Sequence, residues 1–432
     1  MIAANFVLLG VFVALLTIGA PIAVALGLAG AAAVAVGLDL NSVAMIGANT
    51  YASVAKYPLI AIPLFVLTGM VFERSGVAGR LVTFAQSIVG PRRGGLAVVA
   101  TLVCLIMGGM SGSGPADAAA VATIMIPSMA KAGYPRAFSA SLIAASASTA
   151  ILIPPSIALI VYSIMVPGID LRALFAAGVF PGILAGLAVI APTLLISRWK
   201  NFGAAETDAR PPFWRSLRDA MPGLMAPVII LGGLRTGLFT PTEAAAVAVA
   251  YGFFVGVFLY RNMGFRDVWR ALSDSAEISA VVMIIISLAG LFAWAGSTLG
   301  AFDQAAAAIL SVTDNGGLVL IMIMAVLLLA GMILDGVSIY LITLPLLIPI
   351  AVAFDWNLTW FGVLMAMNVA IGQFTPPVAV NLMITARIAR APIEDTVPWV
   401  AVLLGTMGGA LLLVILFPEI ALWLPQALGY RV

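Results

Sequence analysis

The chain has 432 residues, 63% of them hydrophobic and 9% charged, with a formal net charge of +2. That balance lies far outside the soluble range and describes a polytopic membrane protein with no nucleic-acid partner. There is no histidine, which excludes histidine metal sites, histidine proton relays and Ser-His catalysis. About 20 apolar residues cross a bilayer, so the length allows roughly a dozen spans with shorter pieces between them. Cys104 is the single cysteine and reads as a small packing residue. No basic stretch precedes the first apolar segment, so a cleaved signal peptide is not expected.

In chain order, residues 5–36 are apolar with a break at Gly19-Ala20-Pro21, and read as a helical hairpin or two short spans. Residues 38–57 carry Asp39, Asn41, Asn49 and Lys56 and are expected at the membrane interface. A span over 58–73 leads into a basic loop at 74–93. Residues 96–110 and 115–129 are each short for a span, and the Ser-Gly-Ser-Gly-Pro run from Ser111 to Pro115 disfavours a continuous helix between them. The predicted shape is a re-entrant hairpin over 96–129. Residues 137–165 form an apolar stretch interrupted by Ser146, Ser148, Thr149 and Pro154-Pro155, a predicted broken helix. Segment 174–197 closes the first half.

The connector 198–218 holds Arg198, Lys200, Arg210, Arg215 and Arg218 and is the natural boundary between halves at 1–197 and 219–432. The second half repeats the plan. Residues 221–260 break at Thr236-Gly237 and Thr240-Pro241-Thr242, a span covers 278–297, and a loop with Asp303 and Asp314 but no basic residue follows. A second hairpin over 318–350 turns at Asp335-Gly336. A second broken helix covers 361–386, unwound across 372–377, and the last span is 397–417.

The repeat is one of position as well as plan. Gly94-Gly95 pairs with Gly316-Gly317, Gly109-Met110 with Gly331-Met332, Pro127 with Pro349, and Pro154-Pro155 with Pro376-Pro377, all at a single offset (331 − 109 = 222). Polar breaks at matching places in two apolar halves point to the binding site of a secondary transporter. Charge supplies the orientation. The segment 74–93 holds Arg74, Arg80, Arg92 and Arg93, whereas its counterpart 296–315 holds no basic residue. Lys131 and Arg136 likewise have no basic counterparts at 353–358. An inverted repeat with its N-terminus outside puts 16 of the 20 basic residues on one side. A parallel repeat would not.

Breaking a helix in lipid frees backbone groups that cost several kcal/mol each unless protein, water or ligand satisfies them. Exposed carbonyls and hydroxyls suit Na⁺, and helix N-termini suit a carboxylate. The first candidates are Ser111, Gly112, Ser113 and Gly114 facing Ser146, Ser148, Thr149 and Pro154. The second are Asp335, Gly336 and Ser338 facing Gly372, Thr375 and Pro376. Substrate is expected at Ser111, Gly112, Ser113, Asp335, Gly336 and Thr375. Na⁺ is expected at Ser113, Gly114, Ser146, Ser148, Thr149 and Pro154, and at Asp335, Ser338, Gly372, Thr375 and Pro376. Against this stands the plainer reading that such hydroxyls only bond back to the preceding turn and that glycine only permits close packing. A carboxylate at membrane depth is expensive and usually functional. Asp335 is expected in or near the site, whereas Asp117, three residues past Gly114, reads equally as a functional carboxylate or as a simple cap on the second arm of its hairpin. Gly109-Met110-Ser111-Gly112 also fits the Gly-x-Ser-Gly pattern of intramembrane serine proteases, but no general base is evident. Glu243 reads as a first-turn helix carboxylate, and Trp356, Trp360, Trp399 and Trp423 as interfacial anchors.

These motifs together resemble the large membrane subunit of the tripartite ATP-independent periplasmic (TRAP) transporters. The specific parts are Gly109-Met110-Ser111-Gly112-Ser113 with Ala116-Asp117-Ala118-Ala119, Ile126-Pro127, Lys131-Ala132-Gly133-Tyr134 and Ile153-Pro154-Pro155-Ser156. They continue with Phe239-Thr240-Pro241-Thr242-Glu243-Ala244, Met332 through Asp335, and Thr375-Pro376-Pro377. The family often has Gly-Pro where this chain has Ala150-Ile151, and Asp-Pro where it has Asp335-Gly336. The resemblance implies an all-α, inverted-repeat, elevator-type fold with two re-entrant hairpins and two broken helices. It implies a bacterial inner-membrane location and Na⁺-coupled uptake of an organic anion: a C4-dicarboxylate, a sugar acid or a keto acid. It also implies a small four-helix membrane partner subunit and a soluble periplasmic binding protein. The rival readings are a stand-alone Na⁺/dicarboxylate carrier and an intramembrane enzyme.

Overall fold

The computed structural model describes residues 2–38, 40–203, 210–311 and 313–432, and all regular structure among them is helical. Asp39, the side chain of Asn41, and residues 204–209 of the connector lie outside the described residues. Seven helices are long and apolar enough to cross a membrane: Tyr57–Arg74, Leu171–Trp199, Phe213–Thr236, Pro241–Leu259, Phe265–Thr298, Gly336–Ala353 and Ile393–Leu416. The remaining apolar segments are shorter and paired.

The repeat is visible in where helices start. Gly114–Lys131 and Gly336–Ala353 begin and end at the offset of the sequence repeat, and Arg136 and Leu358, like Leu171 and Ile393, open helices at that same offset. The first hairpin is Gly95–Ser111 and Gly114–Lys131; the second is Gly316–Gly331 and Gly336–Ala353. The first turn lies within protein, with Ser111, Gly112 and Gly114 buried; the second is part-exposed, with Gly336 buried, Asp335 half-buried and Ile333 exposed. A turn made at the membrane surface would be exposed throughout, so the first hairpin dips inward and returns. The first broken helix is Arg136–Ser148 and Ile157–Met165 with a tight turn at Thr149–Ile151 between them; the second is Leu358–Gly372 and Val380–Ala389. Both proline pairs within the breaks have cis peptide bonds.

Helix contacts sort the molecule into two sets. One is built on Phe265–Thr298, against which Ile22–Gly37, Ile46–Val54 and Ala61–Arg74 pack, with Pro241–Phe253 behind Ala61–Arg74. Phe213–Thr236 joins this set through Val77–Val89 and Pro241–Phe253. The other set holds both hairpins, both broken helices, Leu171–Trp199 and Ile393–Leu416. Within it the halves cross over. Val380–Ala389 of the second broken helix packs on Gly114–Lys131 of the first hairpin, and Ile157–Met165 of the first broken helix packs on Gly336–Ala353 of the second hairpin. Each hairpin therefore rests on a segment from the opposite half. The sets touch where Val77–Val89 and Ala61–Arg74 meet Gly95–Ser111 and where Phe265–Thr298 meets Gly336–Ala353.

Several expectations are corrected. The basic loop 74–93 contains the helix Val77–Val89, because Val77, Leu81, Val82, Ala85 and Val89 recur at helical spacing and are buried while Arg80 is half-buried and Thr83 exposed. Its counterpart loop likewise holds Ala301–Leu310, with Ala301, Phe302 and Ala306 buried. The span 278–297 extends back to Phe265, and a terminal helix, Glu419–Ala427, was not anticipated. Trp360 is buried and donates to the Val414 carbonyl at 2.9 Å, and Trp399 packs edge-on against Phe138 and Phe202. Trp360 is a packing residue, not an interfacial anchor, whereas Trp399 is half-buried.

Candidate functional site

The first hairpin turns because Gly112 adopts φ +59°, a left-handed conformation that favours glycine. A Cβ there would also lie 2.4 Å from the Pro155 carbonyl oxygen. The hairpin tip thus rests directly on the break of the first broken helix. Ser111 latches the turn: its hydroxyl donates to Asp117 Oδ1 at 2.7 Å and accepts from the Ser113 amide at 3.2 Å. Asp117 is fully buried, and its Oδ2 has no partner among the described residues. It does not cap its helix. Ser113 occupies the N-cap position and makes no side-chain capping bond.

The second tip is built differently. Asp335 is the N-cap of Gly336–Ala353 and accepts from the Val337 and Ser338 amides at 3.0 and 3.2 Å, and from the Ser338 hydroxyl. This carboxylate is therefore engaged locally as a helix cap. The Met332 carbonyl at the end of the first arm accepts from the Ala379 amide at 2.9 Å, tying this tip to its own broken helix.

The breaks hold the remaining candidates. Ser148 and Thr149 donate to the Ala145 and Ser146 carbonyls at 2.7 and 2.6 Å, and Thr375 donates to the Ile371 carbonyl at 2.6 Å. These hydroxyls bond back to their own turns, which leaves only their lone pairs for a ligand. Ser146 pairs with Thr101 at 2.9 Å, linking the first broken helix to the first arm of its hairpin. Asn368, the counterpart of Ser146 in the second half, makes the equivalent link by donating to the Met324 carbonyl at 2.8 Å. Gly372 lies against Gly331, where an added Cβ would meet Gly331 Cα at 2.6 Å. Pro154 is buried and Pro376 partly so.

Two residues absent from the predicted set join the halves. Gln373, in the second break, and Asn381, in the following helix, are 5% and 0% exposed. A Cβ on Gly114 would lie 2.8 Å from Gln373 Oε1, 2.9 Å from Asn381 Nδ2 and 3.3 Å from the Ala147 carbonyl oxygen. One on Gly336 would lie 3.8 Å from Gln373 Nε2. Gln373 thus stands between the two hairpin tips. Gln373 Oε1 and both amide atoms of Asn381 have no hydrogen-bond partner among the described residues. Leaving such groups unpaired in the interior costs about 1–3 kcal/mol each. Amide and carbonyl oxygens fit a hard cation such as Na⁺, and the amide N–H groups with the N-termini at Gly114 and Gly336 fit an anion. Glu243, by contrast, forms a capping box with Thr240, accepting from its amide and hydroxyl at 2.8 Å each.

A family model for the tripartite ATP-independent periplasmic transporter, DctM component, matches residues 9–420. The chain is similar to the C4-dicarboxylate TRAP transporter large permease protein DctM of Pseudomonas aeruginosa, at 37% identity over 408 residues covering 94% of each. It is 34% identical over 420 residues to the isethionate TRAP transporter permease protein DctMQ of Oleidesulfovibrio alaskensis, covering 96% of this chain and 66% of that longer protein. The fold is similar to that of the Alcanivorax borkumensis YdaH transporter, with a TM-score of 0.61 at 15% identity, covering 89% of this chain and 91% of that one. These relatives are permeases, and the Ser111–Asp117 pair belongs to a transporter hairpin rather than to an enzyme. The chain is a multi-pass membrane protein of the DctM family, the large permease subunit of a TRAP transporter.

Proposed function

We propose that the chain carries a small organic carboxylate across the bacterial inner membrane, coupled to Na⁺. The observation that carries this reading is Gln373 Oε1 and both amide atoms of Asn381, buried beside the hairpin tips with no hydrogen-bond partner among the described residues. Na⁺ would draw on Gln373 Oε1, Asn381 Oδ1 and the free lone pairs and carbonyls of Ser113, Gly114, Ser146, Ser148, Thr149 and Pro154. A second ion would draw on Asp335, Ser338, Gly372, Thr375 and Pro376. The carboxylate would sit against the helix N-termini at Gly114 and Gly336, beside Ser111, Gly112, Ser113 and Thr375. Ordering of the tips by the cation lowers the cost of binding the anion, which is coupling through a shared conformational change.

The set holding hairpins and broken helices would move as a unit against the set built on Phe265–Thr298, an elevator-type step. The N-terminus faces the periplasm in this account, as the basic residues favour. Substrate arrives from a periplasmic binding protein, and a small membrane subunit accompanies the chain. The substrates named for the relatives, a C4-dicarboxylate and isethionate, share a small anionic headgroup, which suits two helix N-termini. The test is uptake of a radiolabelled C4-dicarboxylate into proteoliposomes containing both membrane subunits, with and without a Na⁺ gradient and the binding protein. Uptake that requires both supports the reading. Uptake without the soluble protein would favour a stand-alone carrier, and uptake indifferent to Na⁺ would remove the cation role.

A further inference from the structure

Helices Phe213–Thr236 and Pro241–Leu259 are each long and apolar enough to cross a bilayer. They pack on one another and are joined at one end by residues 237–240, so Phe213 and Leu259 end at the same membrane face. Val77–Val89 packs against the first of them. At this corner a cavity of about 800 Å³ is lined by Arg80, Trp214, Arg215, Arg218, Asp219 and Tyr260. Three guanidinium groups face one carboxylate, so the cavity carries net positive charge.

Its back wall is fixed. The Arg80 guanidinium lies 3.6 Å over the Tyr260 ring and donates to the Gly76 carbonyl at 3.0 Å. Burial pushes the Tyr260 hydroxyl up to about 12, so it keeps its proton and donates to the Asp219 carbonyl at 2.7 Å. Arg215 and Arg218 are exposed and form no ion pair among the described residues. Beside them Trp214, Phe258 and Leu259 present exposed apolar surface at the end of the two spans. Basic groups and a tryptophan at a span end match the layer where lipid headgroups meet acyl chains.

We propose that this cavity binds the phosphate headgroup of an anionic phospholipid. Arg215 and Arg218 hold the phosphate, since a guanidinium presents paired donors to phosphate oxygens. Arg80 stands behind them, and Trp214, Phe258 and Leu259 lie against the glycerol and the first part of the acyl chain. A membrane partner subunit is the competing occupant, but an apolar helix face laid over this corner would leave the net positive charge of its described residues uncompensated. None of the lining residues belongs to a hairpin or a broken helix, so the site is distinct from the proposed substrate site.

The test is native mass spectrometry of the full chain in detergent, titrated with phosphatidylglycerol, phosphatidylcholine or inorganic phosphate. Wild type is compared with Arg215→Gln/Arg218→Gln and with Arg92→Gln/Arg93→Gln, which removes the same charge from another exposed site. The expected result is retention of phosphatidylglycerol over phosphatidylcholine, weakened about thirtyfold in the first variant and unchanged in the second, on the scale of two basic groups at a membrane surface. Equal retention of both lipids, or equal losses in both variants, would overturn the proposal. Displacement of phosphatidylglycerol by millimolar inorganic phosphate would assign the cavity to the free ion instead. Loss of the copurifying membrane subunit, with lipid retention intact in the first variant, would assign it to protein.

Discussion

The two hairpin tips occupy equivalent positions and are closed by different chemistry. Position 113 is Ser113, an N-cap that makes no capping bond; at the equivalent position in the second half Asp335 caps its helix with both carboxylate oxygens engaged. The first tip depends instead on a side-chain latch, Ser111 to Asp117, and on a left-handed glycine pressed against the Pro155 carbonyl. Asp117 has Ile339 as its counterpart, so the second half has no such latch. Duplication preserved the backbone plan, and each copy then found its own means of satisfying the turn. The first tip is the more tightly determined, and the comparison can be broken there first.

The largest effect is expected from Gly112→Ala, which combines a disfavoured φ with a backbone collision at Pro155. The expected loss is about 2–4 kcal/mol, with transport abolished, read from the melting temperature and from uptake. An unchanged melting temperature would mean that the tip does not rest on the break. Next is Asp117→Ala, which removes the acceptor of the Ser111 hydroxyl inside the protein and should cost about 1–3 kcal/mol. Asp117→Asn keeps an acceptor oxygen and should recover most of that stability. If both variants melt together, the latch does not hold the tip. Asp335→Ala loses a partly exposed cap and should cost about 1 kcal/mol, less than the Asp117 change. The reverse order would contradict the contrast between the tips. The smallest effect belongs to Thr240→Ala, which removes one side of an exposed capping box far from both tips. It should cost about 0.5–1 kcal/mol in melting experiments and leave the Na⁺ response intact.

Much of the plan was legible because membrane physics leaves few options. The repeat showed in landmarks at one spacing, and the breaks showed because Ser-Gly-Ser-Gly-Pro and Pro-Pro runs cannot continue a helix in lipid. Amphipathic Val77–Val89 was hidden by Arg80 and by the flanking Arg74, Arg92 and Arg93, since a charge count marks a segment as polar while its burial follows the periodicity of Val77, Leu81, Val82 and Ala85. Asp335 reads from sequence as a residue in or near the site, and Asp117 as either a cap or a functional carboxylate; in the structure Asp335 also caps its helix, and Asp117 reaches across the turn to Ser111. Sequence does not separate these roles because each carboxylate lies within three residues of a turn glycine, Gly114 or Gly336. Gln373 lies inside the unwound stretch 372–377 but was not singled out there, and Asn381 lies outside every motif. A signal did exist: the equivalent positions in the first half are Ile151 and Leu159. Two uncharged amides replacing aliphatic residues at membrane depth are costly, and such residues in one copy of a repeat mark where its function differs.

The most direct measurement is the melting temperature of the purified chain in NaCl against choline chloride, for wild type, Gln373→Met and Asn381→Leu. A cation that binds only the folded state adds RT ln(1 + [L]/Kd), about 1–3 kcal/mol at concentrations well above Kd. The account predicts a Na⁺-specific rise in wild type that shrinks in both variants, while their melting in choline chloride is no lower than that of wild type. That second result is expected because each substitution removes buried polar atoms that the protein itself leaves unpaired. A full Na⁺ response in both variants, or a lower melting temperature in choline chloride with the response intact, would make these amides structural and contradict the site proposed between the hairpin tips.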